Sequence, residues 1–185
     1  MNQIRFVLAL AFSAKLLTCA TALAQSAPVD PQARIDAQIT IAIAWAAEPA
    51  IVEAVRAHNA GLTEAEEEMT QERWALLPTL DPLVRGYANN KVGQFLRSKR
   101  SAIIAEAFVC DTVGRKVGFI GKSSRWSHAG QPKHEVPMTG KNWQGRVELD
   151  DSSGLRLLQI SVPVLDGDKP IGSLTVGLSA AVLSE

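Results

Sequence analysis

The stretch that decides the fold is LRLLQISVPVLD (155–166), followed after a short gap by IGSLTVGLS (171–179). Both segments are short and rich in residues that favour β-strands. They are joined through Asp166-Gly167-Asp168, and an Asp-Gly pair is a frequent choice for a tight hairpin turn. The sequence therefore predicts an antiparallel hairpin here.

Three earlier segments have the same strand-like character: IIAEAFVCD (103–111), KVGFIG (116–121) and GRVELD (145–150). Turn residues follow the first and the third of them, at 112–114 and 152–154, as expected of hairpin connections. Residues 102–182 are thus predicted to form an antiparallel sheet of about five strands. The one long connection, 122–144, falls where a ligand site is expected, because a long loop within a compact sheet usually carries function.

Residues 31–101 are predicted to be helical. Over residues 34–47, apolar positions recur every four residues and form one broad stripe: Ile35, Ile39 and Ile43, with Ile41 and Trp45 beside them. Glu48-Pro49 interrupts this helix, and Asn59-Ala60-Gly61 ends the next one. Helical sequence before stranded sequence predicts the α+β fold class.

Short capping motifs predict where individual helices of the helical part begin. Thr63 and Glu66 have the spacing of a capping box, and Asp81-Pro82 places an N-cap before a proline at the first helical position. His58, near the end of the second helix, is interpreted as a solvated residue.

The N-terminal residues have the order of a secretory signal peptide. Arg5 is followed by an apolar run, 6–23, which Lys15 interrupts, and by an Ala-x-Ala motif that ends at Ala24. A membrane anchor is less favourable, since a charge near mid-bilayer costs roughly 2.5–3.5 kcal/mol. We expect residues 1–24 to be removed, leaving a periplasmic protein with a single domain, 25–185, and no membrane insertion afterwards.

Cysteine content and net charge restrict the forms and the partners expected of the mature protein. Leu16-Leu17-Thr18-Cys19 faintly resembles a lipoprotein box, so a lipidated mature form is the alternative to a soluble one. Cleavage after Ala24 leaves Cys110 without a disulfide partner, and a lone thiol within a strand is interpreted as buried and inert. The loss of Arg5 and Lys15 lowers the basic residues from 19 to 17 against 19 acidic ones, a formal net charge of −2. Nucleic acid is therefore not an expected partner.

The long connection contains SSRWSHAGQPKH (123–134). Arg125 offers a planar guanidinium suited to a carboxylate, and Trp126 offers an aromatic face for stacking. Asp150, at the end of the next strand, either accepts from a ligand amine or caps the turn that follows. These residues predict a ligand clamp. The competing interpretation is a surface ion pair for Arg125 and, for Trp126, a loop residue folded over the sheet.

The same residues are less suited to a catalytic site or a metal site than to a ligand clamp. Ser123 or Ser127 could join His128 or His134 and a nearby Asp in a triad, but the sequence has no nucleophile elbow. The spacing of the two histidines fits neither a helical metal pair nor a compact Cys/His cluster. We therefore expect no metal, no cofactor and no enzymatic activity. A histidine within hydrogen-bond reach of a serine or carboxylate would favour catalysis instead.

Three segments resemble the Cache, or PDC sensor-like, family of extracytoplasmic domains: EPAIVEAVRAHNA (48–60), FVCDTVGRKVG (108–118) and QISVPVLDGDKPIGSLTVGLSAAVL (159–183). The resemblance covers roughly residues 31–182, the scale of one domain. It implies a PAS-like antiparallel sheet preceded by long N-terminal helices. It also implies a ligand pocket between the sheet and the 122–144 loop.

Members of that family bind small molecules, often amino acids, amines or carboxylates, and most are the sensing portions of membrane receptors. In the relatives that bind amino acids, an Asp of the final strand binds the ligand amine, and this chain has Gly177 at the comparable place. Arg125 stands where related domains have an acid. The resemblance therefore favours a carboxylate or another anion, bound by Arg125 and Trp126 with help from Lys133 and His128.

Together these observations predict a non-enzymatic periplasmic sensor of a small molecule. Because the sequence shows no output domain, we expect it to signal through a separate, membrane-bound partner. Closure of the 122–144 loop would be transmitted to the N-terminal helices, whose Ile stripe is also a candidate homodimer interface. The alternative is a structural or protein-interaction domain with a degenerate pocket.

Overall fold

The computed structural model describes residues 30–150 and 153–184, so the predicted signal peptide lies outside the described residues. Six helices come first and a five-stranded sheet follows. The helices are α1 (Pro31–Ala46), α2 (Pro49–Ala60), α3 (Glu64–Glu67), α4 (Gln71–Leu76), α5 (Pro82–Asn89) and α6 (Lys91–Ser98). The strands are β1 (Ile104–Cys110), β2 (Lys116–Phe119), β3 (Trp143–Leu149), β4 (Arg156–Asp166) and β5 (Lys169–Ser179). The predicted α+β class, with helices preceding an antiparallel sheet, is confirmed.

The strands are arranged in the order β2-β1-β5-β4-β3, and all neighbours are antiparallel. The predicted hairpin is β4 and β5, which pair from Leu157 opposite Ser179 to Asp166 opposite Lys169. Gly167 has φ +61°, a conformation that glycine adopts without a steric cost, at the tip of the hairpin. The last strand in sequence is therefore the central strand of the sheet.

The predicted helix boundaries are confirmed by the capping contacts. The Asp81 side chain accepts from the Leu83 amide, and the Thr63 and Glu66 side chains form both hydrogen bonds of a capping box. Glu48-Pro49 separates α1 from α2, and the axes of the two helices differ by 63°. Proline causes the break because it has no N–H to continue the helical hydrogen bonds.

One face of the sheet packs against α1, α2 and α6. It presents alternate apolar residues of the central strands, which form one buried cluster with Ile35, Ile51, Val55 and Leu96 of the helices. The sheet residues of this cluster include Ala107, Val109, Ile160, Val162, Leu174 and Val176. This face is the main hydrophobic core.

The opposite face of the sheet is more polar and is covered by residues 120–142, here called the covering segment. This face carries Glu106, Gln159, Ser161, Ser173 and Thr175 among others. The predicted 122–144 loop proves to contain a short helix, α7 (Pro132–Glu135), and a 3₁₀ turn (Pro137–Thr139), and β3 begins at Trp143. The connection is therefore more ordered than the sequence predicted, and it begins and ends two residues earlier in the chain.

A second buried cluster lies between α4, α5, β2 and the covering segment. Its centre is Trp74, whose ring lies 6.1 Å from those of Tyr87 and Phe119 and 5.3 Å from that of Trp126, measured between centroids. The Trp74 Nε1 donates to the Ser123 carbonyl at 2.9 Å. This cluster attaches the start of the covering segment to the helical layer.

His58 is not the solvated residue that the sequence suggested. Its side chain is 9% exposed, and its Nδ1 lies 3.1 Å from Asp111 Oδ2, while Nε2 lies 3.5 Å from Glu66 Oε1. The helix end is covered because the β1-β2 hairpin folds over it. Asp111 is completely buried and also accepts from the Arg115 side chain at 2.7 Å.

Within residues 30–150 and 153–184, no single helix is both long and apolar enough to cross a membrane. The adjacent helices α1 and α2 reach the required length and apolarity only when they are taken together, across the 63° bend.

Replacing Gly172 by alanine is expected to lower the free energy of unfolding by about 1–3 kcal/mol, because the added methyl overpacks the core. A Cβ at this position would lie 2.3 Å from the Cys110 carbonyl oxygen and 2.9 Å from Val55 Cγ1, so backbone must move. Gly61 is the matched control, since nothing lies within 4 Å of a Cβ there. Urea unfolding of the two variants tests this. Equal stabilities would contradict the close approach of β5 to β1.

Candidate ligand-binding site

A cavity of about 310 Å³ lies between the covering segment and the polar face of the sheet. The cavity is lined by four of the five residues that the sequence predicted to bind a ligand: Arg125, His128, Lys133 and Asp150. Other lining residues come from β1, β3 and β4, among them Glu106, Phe108, Trp143, Arg146, Glu148 and Gln159. The volume is at the small end of the range for ligand pockets.

Trp126, the fifth residue that the sequence predicted to bind the ligand, does not line the cavity. Only 4% of it is exposed, and it is not among the residues that line the cavity. Its ring packs against Trp74 and Tyr87, with centroid distances of 5.3 and 5.5 Å. A large apolar side chain gains more by joining this cluster than by facing a polar cavity. The competing interpretation, a loop residue folded over the sheet, agrees with the burial of Trp126, but the ring packs against Trp74 of α4 and Tyr87 of α5.

Arg125 and Asp150 differ in how much of their hydrogen-bonding capacity is used. The exposed Arg125 side chain makes no hydrogen bond or ion pair with any residue that the structure describes. Asp150 accepts from the Ser153 amide at 2.8 Å and from the Ser153 hydroxyl at 2.7 Å. Asp150 thus caps its turn, which was one of its two predicted roles, while it also borders the cavity.

Lys133, Gln159 and Glu106 form a hydrogen-bonded chain across the cavity floor. Lys133 donates to Gln159 Oε1, and Gln159 Nε2 donates to Glu106 Oε2 at 2.8 Å. Burial raises the pKa of Glu106, although the nearby Lys116 and Lys133 oppose this. Burial lowers the pKa of Lys133, although Glu106, Asp150 and Glu148 oppose this. The carboxyl and the amine are linked through one amide, which holds both side chains in place.

Glu106 is a site residue that the sequence analysis missed. It stands on β1 opposite Gly177 of β5, and a Cβ on Gly177 would lie 3.0 Å from Glu106 Cβ. The glycine therefore makes room for the glutamate. One signal was present in the sequence: an acidic residue alone in the apolar strand IIAEAFVCD, because a charge is rarely placed in a buried strand without a partner.

His128 and Lys116 form a second buried contact beside the cavity. Lys116 Nζ lies 2.8 Å from His128 Nε2 and 3.2 Å from the centroid of the Phe108 ring, on which the His128 ring is also stacked at 4.6 Å. Burial lowers the pKa of Lys116 to about 8. Burial, assisted by the Lys116 charge, also lowers the pKa of His128. His128 is therefore neutral at physiological pH.

The contact that would favour catalysis does occur, but outside the cavity. His134 Nδ1 lies 2.9 Å from Ser173 Oγ, and both residues are almost completely buried. Neither lines the cavity, and the other hydrogen-bond partner of His134 is the Thr112 backbone rather than a carboxylate. A triad requires an accessible hydroxyl and a carboxylate that orients the histidine. We therefore interpret the hydrogen bond between His134 and Ser173 as a buried structural contact.

Within the described residues, no group of three or more His, Cys, Asp or Glu side chains is arranged to hold a metal ion. Cys110 is fully buried in β1, and burial raises the pKa of its thiol to about 11. A protonated thiol without access to solvent is a poor nucleophile, as the sequence indicated.

The fold and the site together define a class: a PAS-like antiparallel sheet with helices on one face and a loop-covered polar cavity on the other. A search of solved structures finds sensor domains with a similar fold. The Escherichia coli DcuS sensor domain superposes with a TM-score of 0.51 at 11% identity, over 83% of this chain and 93% of that one. The chain therefore has the Cache, or PDC sensor-like, fold that the sequence predicted.

Two further solved structures are more distant in shape. The Campylobacter jejuni chemoreceptor Tlp3 ligand-binding domain, in complex with 4-methylisoleucine, has a TM-score of 0.47 at 15% identity, over 83% of this chain. The Vibrio cholerae DctB histidine kinase sensor domain has a TM-score of 0.39 at 15% identity, over 82% of this chain. The chain spans only 56% and 58% of these two domains. No family model and no curated protein matches the sequence.

Proposed function

We propose that the chain is a non-enzymatic, extracytoplasmic sensory domain that binds a small carboxylate or another small anion in the cavity. The observation that carries the proposal is the set of three donors that the covering segment presents to the cavity: Arg125, His128 and Lys133. Arg125 has no internal anion among the described residues, and its planar fork matches a carboxylate. The likeness of the fold to a sensor domain supports a sensory role.

The acidic residues of the cavity restrict the chemical class of the ligand further. Glu106, Glu148 and Asp150 line the same space as the three donors. A second carboxylate on the ligand would approach these acids and be repelled, whereas a hydroxyl or amine could donate to them. We therefore favour a ligand with one anionic group and, at its other end, a hydrogen-bond donor.

The route for a signal starts at the covering segment. Gln71 of α4 donates to the Ser124 carbonyl at 2.8 Å and accepts from the Trp126 amide at 3.0 Å, on either side of Arg125. A ligand that moves Arg125 therefore acts directly on the helical layer. The proposed receiver is a separate, membrane-bound partner.

An interaction domain with a degenerate pocket is the second candidate. It is favoured by the exposed apolar side chains of α1, where Ile41 and Ile43 are 40% and 46% exposed. Ile35 and Ile39 of the predicted Ile stripe pack in the core, so the homodimer interface that we propose is limited to the exposed residues Ile41 and Ile43. In this case α1, rather than the cavity, would carry the function.

Thermal unfolding of residues 25–185 with a panel of small molecules tests the proposal. The panel contains monocarboxylates with and without a hydroxyl or amine, dicarboxylates, amines and divalent metals. A ligand at 100 times its Kd should add about 2.7 kcal/mol to the free energy of unfolding, which raises the Tm by several degrees. The ligand effect should be lost in Arg125→Ala and kept in Arg100→Ala, an exposed arginine outside the cavity.

The outcomes separate the two candidates. A shift with monocarboxylates that depends on Arg125 supports the sensory proposal. A larger shift with dicarboxylates would overturn the assignment of the acidic residues. No shift with any compound, together with a dimer that Ile41→Asp dissociates, would favour the interaction domain.

A further inference from the structure

His128 has a buried ring nitrogen that the rest of the chain does not explain. Its Nδ1 is inaccessible to solvent and has no hydrogen-bond partner within the described residues. His58 Nε2 also lacks a hydrogen bond, but it lies 3.5 Å from the Glu66 carboxylate. Burying a donor or acceptor without a partner is unfavourable, so an unpaired ring nitrogen in a residue that lines the cavity points to a partner that the ligand supplies.

Lys116, which lies beside the other ring nitrogen Nε2, determines whether Nδ1 donates or accepts a hydrogen bond. Lys116 Nζ lies 2.8 Å from His128 Nε2, and an ammonium group has three donors and no acceptor. Nε2 must therefore accept. In a neutral imidazole one nitrogen accepts and the other carries the hydrogen, so Nδ1 is an N–H donor.

Three features keep Lys116 in this position. It is completely buried, its Nζ lies over the Phe108 ring at 3.2 Å, and the same ring stacks on His128. The aromatic face attracts the ammonium group, and the carboxylate of Glu106 favours its charge. Packing thus holds Lys116 against His128 Nε2 before any ligand arrives, and Nδ1 reaches a ligand oxygen only when the His128 ring or the segment that carries it shifts on binding.

We propose that Lys116 is a positioning residue that holds His128 in the Nδ1–H form, so that His128 donates a neutral hydrogen bond to an oxygen atom of the ligand. The inference rests on the proposed function, since it assigns one contact within the same cavity. It also restricts the ligand group that faces His128: a carboxylate or carbonyl oxygen fits, and an ammonium group, which only donates, does not. The neighbouring Arg125 supplies the charge that the imidazole lacks.

The tautomer can be measured without knowing the ligand. The chain has three histidines, so long-range ¹H–¹⁵N spectra of histidine-labelled protein resolve each ring. At pH 7 His128 should show the Nδ1–H pattern. Lys116→Met should change it to the Nε2–H form or a mixture, whereas Lys116→Arg, which keeps the charge and the donors, should preserve it. The pattern of His134, held by Ser173, is the internal control.

A pH series on the unmodified chain gives a second readout if Lys116→Met does not fold. The charged and titratable groups around Lys116 are Glu106 and Cys110 of β1, His128, and Lys133 of α7. As the pH rises through the Lys116 pKa of about 8, its amine becomes able to accept, and the Nδ1–H form of His128 should lose its predominance. The Cys110 thiol stays protonated in this range because its pKa is about 11.

Titration with acetate, the simplest carboxylate, tests the ligand contact. Acetate should perturb the His128 ring signals, and its apparent affinity should fall at least tenfold in Lys116→Met but not in Lys116→Arg. An Nε2–H or doubly protonated His128 in the unmodified protein would overturn the inference, whatever binds. The Nδ1–H form without any response to acetate, in a protein that does respond thermally to acetate, would leave the proposed function standing and overturn the role of His128 in it.

Discussion

Trp74→Ala is expected to lower the free energy of unfolding by about 3–5 kcal/mol, the range found when a buried aromatic side chain is removed from a core. Trp74 is completely buried at the centre of the aromatic cluster with Tyr87, Phe119 and Trp126. Its loss leaves a large void and removes the donor to the Ser123 carbonyl. Urea denaturation, followed by circular dichroism, measures the change.

Two companion variants show whether the aromatic cluster is responsible. Leu76→Ala lies in the same short helix but is 84% exposed, and it should change the stability by less than about 0.5 kcal/mol. Trp74→Phe retains an aromatic ring and loses the hydrogen bond to Ser123, so its effect should be intermediate. A loss as small for Trp74→Ala as for Leu76→Ala would show that this cluster does not hold the covering segment.

Asp111→Ala is expected to cost about 3–5 kcal/mol, because it removes a completely buried carboxylate that accepts four hydrogen bonds and leaves their donors without an acceptor. The Asp111 carboxylate accepts from the amides of Val113 and Arg115, from the Arg115 side chain and from His58. It therefore closes the β1-β2 turn and joins it to α2. Asp166→Ala is the matched control: its pair with Arg56 is exposed on both sides, so its loss should change the stability far less than the loss of Asp111.

The effect of Asp111 should depend on pH in a definite direction. Burial alone would raise the pKa of this carboxyl, but the hydrogen bonds from His58 and Arg115 outweigh it and hold the pKa below its ordinary value of 3.8. A lowered pKa stabilises the folded state above the unfolded pKa, and this contribution is lost as the pH falls through the folded pKa. The stability difference between the unmodified chain and Asp111→Ala should therefore be constant above about pH 5 and shrink below about pH 4. A difference that grows on acidification would contradict the network.

The strands and helix ends could be predicted because their signals are local. The hairpin of β4 and β5 follows from two strand-forming runs and an Asp-Gly turn, and the starts of α3 and α5 follow from capping residues within three positions of each other. Such interactions depend on neighbours in sequence, so a single sequence contains them.

The candidate site was only partly predictable because its contacts join distant parts of the chain. Arg125, His128, Lys133 and Asp150 stand out by chemistry in or beside one long connection, and they do line the cavity. Whether Trp126 faces the ligand or the core depends on Trp74, which lies about fifty residues earlier in the chain. Lys116 was overlooked for the same reason, since a lysine at a strand end normally reaches solvent, whereas here its ammonium group lies beside the Phe108 and His128 rings.

The central place of β5 has a consequence for the order of folding. This strand pairs with β1 on one side and β4 on the other, and its contacts with β1 join residues roughly 70 positions apart, which is a high contact order. Until β5 has paired with β1, the two-stranded ribbon of β1 and β2 and the three-stranded ribbon of β3, β4 and β5 are separate and have open edges, and a ribbon of two strands is only marginally stable by itself. The cavity draws its walls from both ribbons, so a partly assembled chain has no binding site, and the capacity to recognise a ligand arises in the same late step that completes the sheet.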